Sequence, residues 1–171
     1  MSLEPKPASD SLTIMTELLL PNDTNTLNNL MGGRLMHWMD IVGAIAAQKH
    51  ARALVVTASV DNVSFKKPVK LGSVVTLTAK VTRAFRTSME VQIIVTAEDM
   101  AAGTKETTNT AFYSYVAVDD KVIPKEVPEV IAESEQEKEL FNSALRRRQL
   151  RLVLAGRLKP SEASELKAIF S

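Results

Sequence analysis

One short stretch of the sequence contains residues that could act on a carbonyl compound. Gly32 and Gly33 stand immediately before a run of apolar residues, and Asp40 lies inside that run. Glycines at the start of a helix let a ligand approach the backbone, and the first turn leaves amide N–H groups free at the positive end of the helix dipole. Such amides can stabilise a developing oxyanion. The alternative is that the glycine pair is only a turn leading into the helix.

Asp40 is the second candidate for chemistry, because a carboxylate is unusual in such surroundings. It lies between Met39 and Ile41, about two turns into the expected helix. Burying a carboxylate is costly unless the group is paired or its pKa is shifted. We interpret Asp40 as a general base or a nucleophile toward an ester-like carbonyl, and the pattern leaves both roles open. A structural hydrogen-bond acceptor is the alternative.

The helix that would carry these residues is predicted over 34–50. One set of apolar residues recurs with 3.6-residue spacing, and further apolar residues fill the remaining faces. A helix that is apolar nearly all round is expected to be buried on all sides. The first set is Leu35, Trp38, Met39, Val42, Ile45 and Ala46, and the second is Met36, Ile41, Ala44 and Ala47.

Five strands are predicted around this helix, and their order indicates an α+β fold. They cover residues 12–20, 54–65, 74–83, 89–98 and 110–118, and the last four follow one another with turn signals between them. One small sheet can bury a long helix only by curling around it. The outer strands of such a sheet remain unpaired, and pairing with a second copy would cover them. We therefore expect a homodimer.

The two ends of the chain differ from this central part. Residues 1–11 contain charged residues and prolines, and we predict a flexible tail before a domain over 12–130. Residues 131–171 are predicted to form a helical extension. Its helix over 133–154 has acidic residues first and arginines last, which complements the helix dipole. Ser161 is the expected N-cap of a short final helix.

Composition excludes several classes of function. The formal net charge is +1, which favours neither a nucleic-acid nor a membrane partner, and the chain has no cysteine. Disulfides, thiolate metal sites and a cysteine nucleophile are thereby excluded. His37 and His50 do not have the spacing of metal ligands, so no metal is expected. Without an apolar run long enough to span a bilayer or a signal-like start, the protein is expected in the cytoplasm.

Three motifs in the sequence resemble those of the hotdog-fold acyl-CoA thioesterases of the cytosolic brain type and the bacterial broad-specificity type. They are NTLNNLMGGRLMHWMD at residues 25–40, VVTASVDNVSFKKPVKLGSVV at residues 55–75 and TSMEVQIIV at residues 87–95. The resemblance covers residues 12–128. It implies a hotdog fold, an antiparallel sheet wrapped around a central long helix, here with a C-terminal helical tail. It also implies hydrolysis of acyl-CoA to a fatty acid and CoA.

The resemblance also implies roles for particular residues. The family's essential aspartate falls on Asp40 and its loop asparagine on Asn29, and the two come from different subunits of a dimer. Gly32 and Gly33 would polarise the thioester carbonyl. Trimers of dimers are common in the family, and no cofactor is needed beyond the CoA of the substrate. We class the expected hydrolase with the serine-esterase type, although the chain has no G-x-S-x-G motif.

Binding of CoA requires cations near its phosphate groups, and each candidate cation has the alternative of a solvated surface charge. Ser88 suits the pantetheine arm, because it lies beside a predicted hairpin. The candidate cations are Lys66, Lys67, Arg83, Arg86, Arg146, Arg147 and Arg148.

Other functions are compatible with the same fold. A non-catalytic acyl-CoA binder would have no use for Asp40 beside a thioester. A hydratase or dehydratase would need a histidine paired with a carboxylate near the helix start, where this chain has Asn29 and Met31.

Overall fold

The computed structural model describes residues 3–61, 63–65 and 67–169. Ten helices and strands follow one another in this part of the chain, together with short 3₁₀ turns at Ala8–Ser11, Pro21–Asp23 and Pro160–Glu162. They are β1 (Lys6–Pro7), β2 (Thr13–Leu18), α1 (Gly32–Ala51), β3 (Leu54–Val60), β4 (Val74–Ala84), β5 (Ser88–Asp99), β6 (Thr104–Val118), β7 (Val130–Ile131), α2 (Glu135–Leu154) and α3 (Ser164–Lys167).

The main sheet has five antiparallel strands in the order β2-β4-β5-β6-β3. Alternate residues of β4, β5 and β6 point to its inner face and are almost completely buried against α1. Register shifts interrupt the pairings of β3 with β6, of β4 with β5 and of β5 with β6, and such irregularities increase the local bend of a strand. The sheet curls around α1, which confirms the predicted α+β hotdog fold. The buried residues of the three strands are Val75, Leu77, Ala79, Val81, Met89, Val91, Ile93, Val95, Ala111, Tyr113, Tyr115 and Ala117.

Helix α1 is not buried on all sides within one chain, and here the prediction was wrong. Leu35, Met39, Val42, Ala46 and Ala47 face the sheet and are buried. A single sheet covers only one side of a helix, so the opposite stripe stays exposed. Its apolar residues are Met36, Ile41 and Ile45, which are 38%, 38% and 40% exposed. The helix ends at Arg52, whose left-handed backbone (φ 51°) closes the last turn.

The first described residues are not a flexible tail, in contrast to the prediction. Lys6 and Pro7 pair in parallel with Val130 and Ile131 of β7. The Lys6 ammonium donates to the carbonyl of His50 near the end of α1 (2.8 Å). Ser11 is buried, and its hydroxyl accepts a hydrogen bond from the amide of Val81. The prolines and charged residues of this segment suggested disorder. They are also compatible with an ordered extended segment that makes these contacts.

Helix α2 lies on the outer face of the sheet. It begins with a capping box between Ser134 and Glu137, and the predicted helix over 133–154 is observed as Glu135–Leu154. Lys80 of β4 donates to Glu137 (2.7 Å), and this hydrogen bond is the main cause that lowers the pKa of Glu137 to about 2. The last helix begins later than predicted. Ser161 lies in a 3₁₀ turn, and the residue before α3 is Ala163.

Candidate active site

Asp40 lies at the boundary between the covered and the exposed sides of α1. Its side chain is half-buried, less so than the sequence suggested. The Thr57 hydroxyl of β3 donates to Asp40 Oδ1 (2.6 Å), and the Tyr115 hydroxyl of β6 lies 3.4 Å from the same oxygen. Asp40 Oδ2 accepts no hydrogen bond from the described residues. One oxygen of the carboxylate is therefore held in place while the other is free to react.

Two tyrosines of β6 lie close to this carboxylate. Tyr113 and Tyr115 are two residues apart on one strand, so their rings share the inner face, with centroids 6.3 Å apart. Burial, and secondarily the charge of Asp40, raise the pKa of Tyr113 to about 12. The same two causes, in the same order, raise the pKa of Tyr115 strongly. Both phenols are therefore neutral hydrogen-bond donors around neutral pH.

The start of α1 forms a second part of the site. The first helical hydrogen bond runs from the amide of Leu35 to the carbonyl of Met31. The amides of Gly32, Gly33 and Arg34 have no partner among the described residues. They point from the positive end of the helix dipole, as expected for the first turn of a helix.

A cavity of about 380 Å³ adjoins this end of the helix. Gly32 and Asn29 contribute to its wall, together with Phe65 and Lys67. A Cβ atom on Gly32 would lie 3.2 Å from the ring of Phe65, whereas one on Gly33 would meet nothing within 4 Å. The backbone at Gly33 is thus accessible to a ligand, and the space at Gly32 is already limited.

Asn29 is held by its own loop rather than by Asp40. Its carbonyl accepts from the amide of Asn25 (2.8 Å), and its amide donates to Asn25 Oδ1 (3.2 Å). Asn25 lines the same cavity, although the sequence singled out only Asn29. Asp40 does not line this cavity, and eight residues of helix place it about 12 Å along the axis from Gly32. Within one chain the predicted Asn29 and Asp40 therefore remain apart.

A cavity of about 320 Å³ lies on the outer face of the sheet, beneath the end of α2. Ser88, the residue predicted to contact the pantetheine arm, lines it together with Arg148. Arg151 and Arg157 line it too, although the sequence did not single them out. Burial, and secondarily the charges of Arg151 and Arg157, lower the pKa of Arg148. Arg151 is paired with Asp61 (2.7 Å) and Glu90 (3.3 Å), so Arg148 and Arg157 are the cations of this cavity without a carboxylate partner among the described residues.

The other predicted cations lie elsewhere. Arg147 makes an ion pair with the fully buried Glu90 (2.8 Å) and packs on the ring of Phe112. Arg83 donates to the carbonyl of Phe141 and packs on that ring, so both arginines dock α2 on the sheet.

The remaining candidate cations lie away from the outer cavity or outside the described residues. Arg146 is exposed beside Gln136 and Glu139 of α2, and Arg86 is exposed in the hairpin between β4 and β5. Lys67 pairs with Glu106. Lys66 lies outside the described residues.

Thr57 and Tyr115, the two side chains that contact Asp40 Oδ1, were not predicted from the sequence, and neither was the neighbouring Tyr113. A signal for the tyrosines was present, because strict alternation in β6 puts them on the face turned toward the helix. No local signal joins Thr57 to Asp40, since their contact depends on how β3 crosses α1. Asp61, which belongs to the second of the three motifs, accepts a hydrogen bond from Arg151 (2.7 Å).

Several further expectations concern groups away from this site. His50 is buried and contacts the carbonyl of Pro128, and neither it nor His37 hydrogen-bonds a serine within the described ranges. The serine-esterase classification is thus not supported. Among the described residues, no group of three or more His, Asp or Glu side chains could hold a metal ion. No helix in this described part of the chain is long and apolar enough to cross a membrane.

Comparison with known protein sequences gives a family for the chain. Residues 27–104 match the model of the thioesterase superfamily. The acyl-CoA thioester hydrolase YkhA of Bacillus subtilis is 39% identical over 138 residues, which are 81% of this chain and 80% of that protein. The acetyl-coenzyme A thioesterase of Mus musculus is 37% identical over 142 residues, and the match covers 81% of this chain but 25% of the mouse protein.

Comparison with solved structures gives the same result. An apo-hexameric acyl-CoA thioesterase superposes with a TM-score of 0.86 at 39% identity, over 90% of this chain and 98% of that one. The Staphylococcus aureus acyl-CoA hydrolase, solved with butyryl coenzyme A and coenzyme A, has a TM-score of 0.82 at 36% identity, over 95% and 98% of the two chains. That enzyme was also solved with an aspartate, a threonine or an asparagine replaced by alanine.

The two tyrosines allow a direct measurement of this site, because they are the only tyrosines in the chain. An ordinary tyrosine has a pKa of about 10, so at about pH 11 the folded protein should show little phenolate absorbance near ~295 nm. Unfolding in guanidinium at the same pH should ionise both residues. Circular dichroism serves as the control that the untreated protein is still folded. Full ionisation of the folded protein at this pH would contradict the described burial.

Proposed function

This chain belongs to the thioesterase superfamily and is an acyl-CoA thioester hydrolase, and on that basis we propose that Asp40 carries out the hydrolysis at a site shared by two subunits. The observation that carries the proposal is the arrangement around Asp40. A carboxylate with one oxygen held by Thr57 and Tyr115, and the other free, suits a group that acts on a carbonyl. The aspartate and the threonine that were replaced by alanine in the Staphylococcus aureus enzyme are of the same residue types as this pair.

Two routes are compatible with a free carboxylate oxygen. In the first, Asp40 takes a proton from water while the water oxygen bonds to the thioester carbon. The C–S bond then breaks, and the proton passes to the departing CoA thiolate. In the second, Asp40 itself attacks the carbon and releases the thiolate, and water then hydrolyses the mixed anhydride. Both routes give a fatty acid and CoA, and both put negative charge on the carbonyl oxygen.

The free amides at the start of α1 are the proposed partners for that charge. Gly32 and Gly33 supply N–H groups at the positive end of the helix dipole, where an oxyanion is stabilised. Gly33 has open space beside it, so a substrate can reach the backbone there. Asn29 would orient the carbonyl or the water. Asn25 shares its cavity and is a second candidate for this role.

A homodimer is proposed because the site and the apolar surface both lack a second half. The exposed stripe of α1 lies beside the edge strand β3, whose Leu54, Val56 and Val60 are 55%, 43% and 39% exposed. An apolar surface with an unpaired strand edge is typical of an interface. Two-fold pairing through it would bring Asp40 of one copy near the loop of the other, which one chain cannot do.

Association of the dimers is proposed by analogy with relatives of known structure. Binding of the CoA nucleotide is proposed from the charge of the outer cavity. Relatives of known structure are hexamers, so three dimers are expected to associate. The outer cavity, with Arg148, Arg157 and Ser88, has the charge and the hydroxyl needed to bind the phosphates of CoA, whereas Arg151 is paired with carboxylates. Of the cations named from the sequence, Arg148 is therefore the one favoured for this role.

Replacing Asp40 by Asn tests the catalytic proposal. The change keeps the volume and the acceptor toward Thr57 and removes the charge that either route requires. We expect a folded protein whose release of CoA falls by about three orders of magnitude, the size typical when a base or nucleophile is lost. Thiol reagents measure the released CoA without background, because the chain has no cysteine. An Asp40→Asn enzyme with wild-type turnover would leave only a binding role for this carboxylate.

Mixing two inactive variants tests whether the site is shared. Asp40→Asn and Asn29→Ala subunits, exchanged by partial unfolding and refolding, should regain part of the wild-type activity, because a mixed dimer contains one intact site. Tagged subunits purified through both tags verify that exchange has occurred, and Asn25→Ala in place of Asn29→Ala tests the second asparagine. Verified mixed dimers that stay inactive with both asparagine variants would argue that each site lies within one chain.

The neighbouring arginines of α2 provide a matched test of CoA binding. Arg148→Ala should raise KM for acyl-CoA about tenfold, the usual loss for one charge-assisted contact, and leave KM for an acyl-pantetheine thioester unchanged. Arg146→Ala, an exposed residue away from the cavity, should change neither value. An equal rise of KM for both substrates in Arg148→Ala would assign this residue to structure.

A further inference from the structure

The hydroxyl of Tyr115 is held at the backbone of α1 by two contacts with a single residue. It donates to the Asp40 carbonyl (3.0 Å), and Asp40 Oδ1 lies within 3.4 Å. Tyr115 is fully buried, and burial of a phenol hydroxyl is costly without a hydrogen-bond partner. Asp40 provides that partner. The ring is thus locked against the same residue to which the catalytic role was assigned.

Gly43 explains how a tyrosine fits at this position. A Cβ atom on Gly43 would lie 2.3 Å from the Tyr115 hydroxyl oxygen and 3.0 Å from Cζ, closer than real contacts allow. A glycine inside a helix is less favourable than an alanine, because it loses more backbone entropy on folding. Neither a turn nor a left-handed backbone conformation requires a glycine at position 43, because Gly43 lies in the middle of α1. The missing side chain leaves the space that the phenol occupies.

We propose that Tyr115 is a positioning residue for the hydrolysis and that Gly43 makes room for it. Together with Thr57, the phenol holds Asp40 from a second strand. Its single O–H is shared between the Asp40 carbonyl, the shorter contact, and Oδ1, which leaves Oδ2 for the reacting carbon or water. The proposal rests on the catalytic role of Asp40. It adds a second requirement, that the carboxylate be held by a neutral donor from β6.

Tyr113 offers a matched control, because it presents the same group in nearly the same surroundings. Its hydroxyl is buried but has no hydrogen-bond partner among the described residues. Removal of this hydroxyl therefore breaks no contact with Asp40. A phenylalanine at either position retains the ring and its packing, so the two variants differ chiefly in whether a donor to Asp40 is lost.

Kinetics of the two phenylalanine variants are the first test. Tyr115→Phe should lower kcat about tenfold and leave KM within about twofold, since a positioning contact acts in the transition state more than in binding. Tyr113→Phe should change both by less than about twofold. Thermal unfolding of each variant checks the fold. Equal kcat values in the two variants, or a change confined to KM in Tyr115→Phe, would overturn the proposal.

Gly43→Ala provides an independent route to the same contact. The added methyl group should displace the phenol and lower kcat at least as much as Tyr115→Phe does. Because both changes act on one contact, the double variant should be no slower than Gly43→Ala alone. Effects on kcat that multiply in the double variant would mean that the glycine and the tyrosine act separately. If Gly43→Ala does not fold, the comparison of the two phenylalanine variants and a titration of Tyr115 still test the proposal.

A spectroscopic test does not depend on activity. In the Tyr113→Phe background Tyr115 is the only tyrosine, so phenolate absorbance reports on it alone. Adding Asp40→Asn should move its ionisation to lower pH, because the negative charge of Asp40 is removed and the hydrogen bond that the neutral phenol donates to Oδ1 is weakened. An unchanged titration would disprove the contact. Wild-type turnover in Asp40→Asn would refute the catalytic role of Asp40. An unchanged kcat in Tyr115→Phe would refute only the positioning role of Tyr115, so the two failures can be distinguished.

Discussion

The structure depends on one constraint, the need to cover a long apolar helix with a single small sheet. Strands β4, β5 and β6 meet this need by curling around α1, with Leu77, Ile93 and Tyr115 among the side chains that bury its inner side. One sheet cannot also cover the opposite side, so a stripe of α1 stays exposed beside β3. Asp40 lies at the edge of that stripe. The same geometry thus makes the carboxylate accessible and leaves a surface that suits a second copy.

The outer face of the sheet is organised by a buried charge. Glu90 of β5 is fully buried, and leaving such a carboxylate unpaired would be strongly destabilising. Arg147 and Arg151 of α2 pair with it, and the Thr82 hydroxyl donates to it (2.7 Å). These bonds fix the helix on the sheet. They also determine which arginines are left over, so that Arg148 faces the outer cavity while Arg147 is fully engaged.

Periodic features were well predicted from the sequence, because each is written in neighbouring residues. The strands predicted over 74–83 and 89–98 are observed as Val74–Ala84 and Ser88–Asp99, and the capping residues of α2 lie close to the expected start. Features that rest on distant contacts were predicted less well. The order at Lys6–Pro7 depends on β7, more than 120 residues later. The exposure of one side of α1 depends on the extent of the sheet, which no local pattern encodes.

The sequence by itself determined the central helix, the alternating strands and a carboxylate that has no place in an apolar segment. The helix and the strands follow from residue type and spacing. The carboxylate is conspicuous in the sequence because an unpaired charge at an apolar position is costly wherever the helix packs. Only the tertiary structure decided which groups surround Asp40. Thr57 and Tyr115 come from two different strands, and a glycine one turn along α1 gives the phenol its space. Such contacts arise from the crossing of a sheet over a helix, which brings together residues that are far apart along the chain.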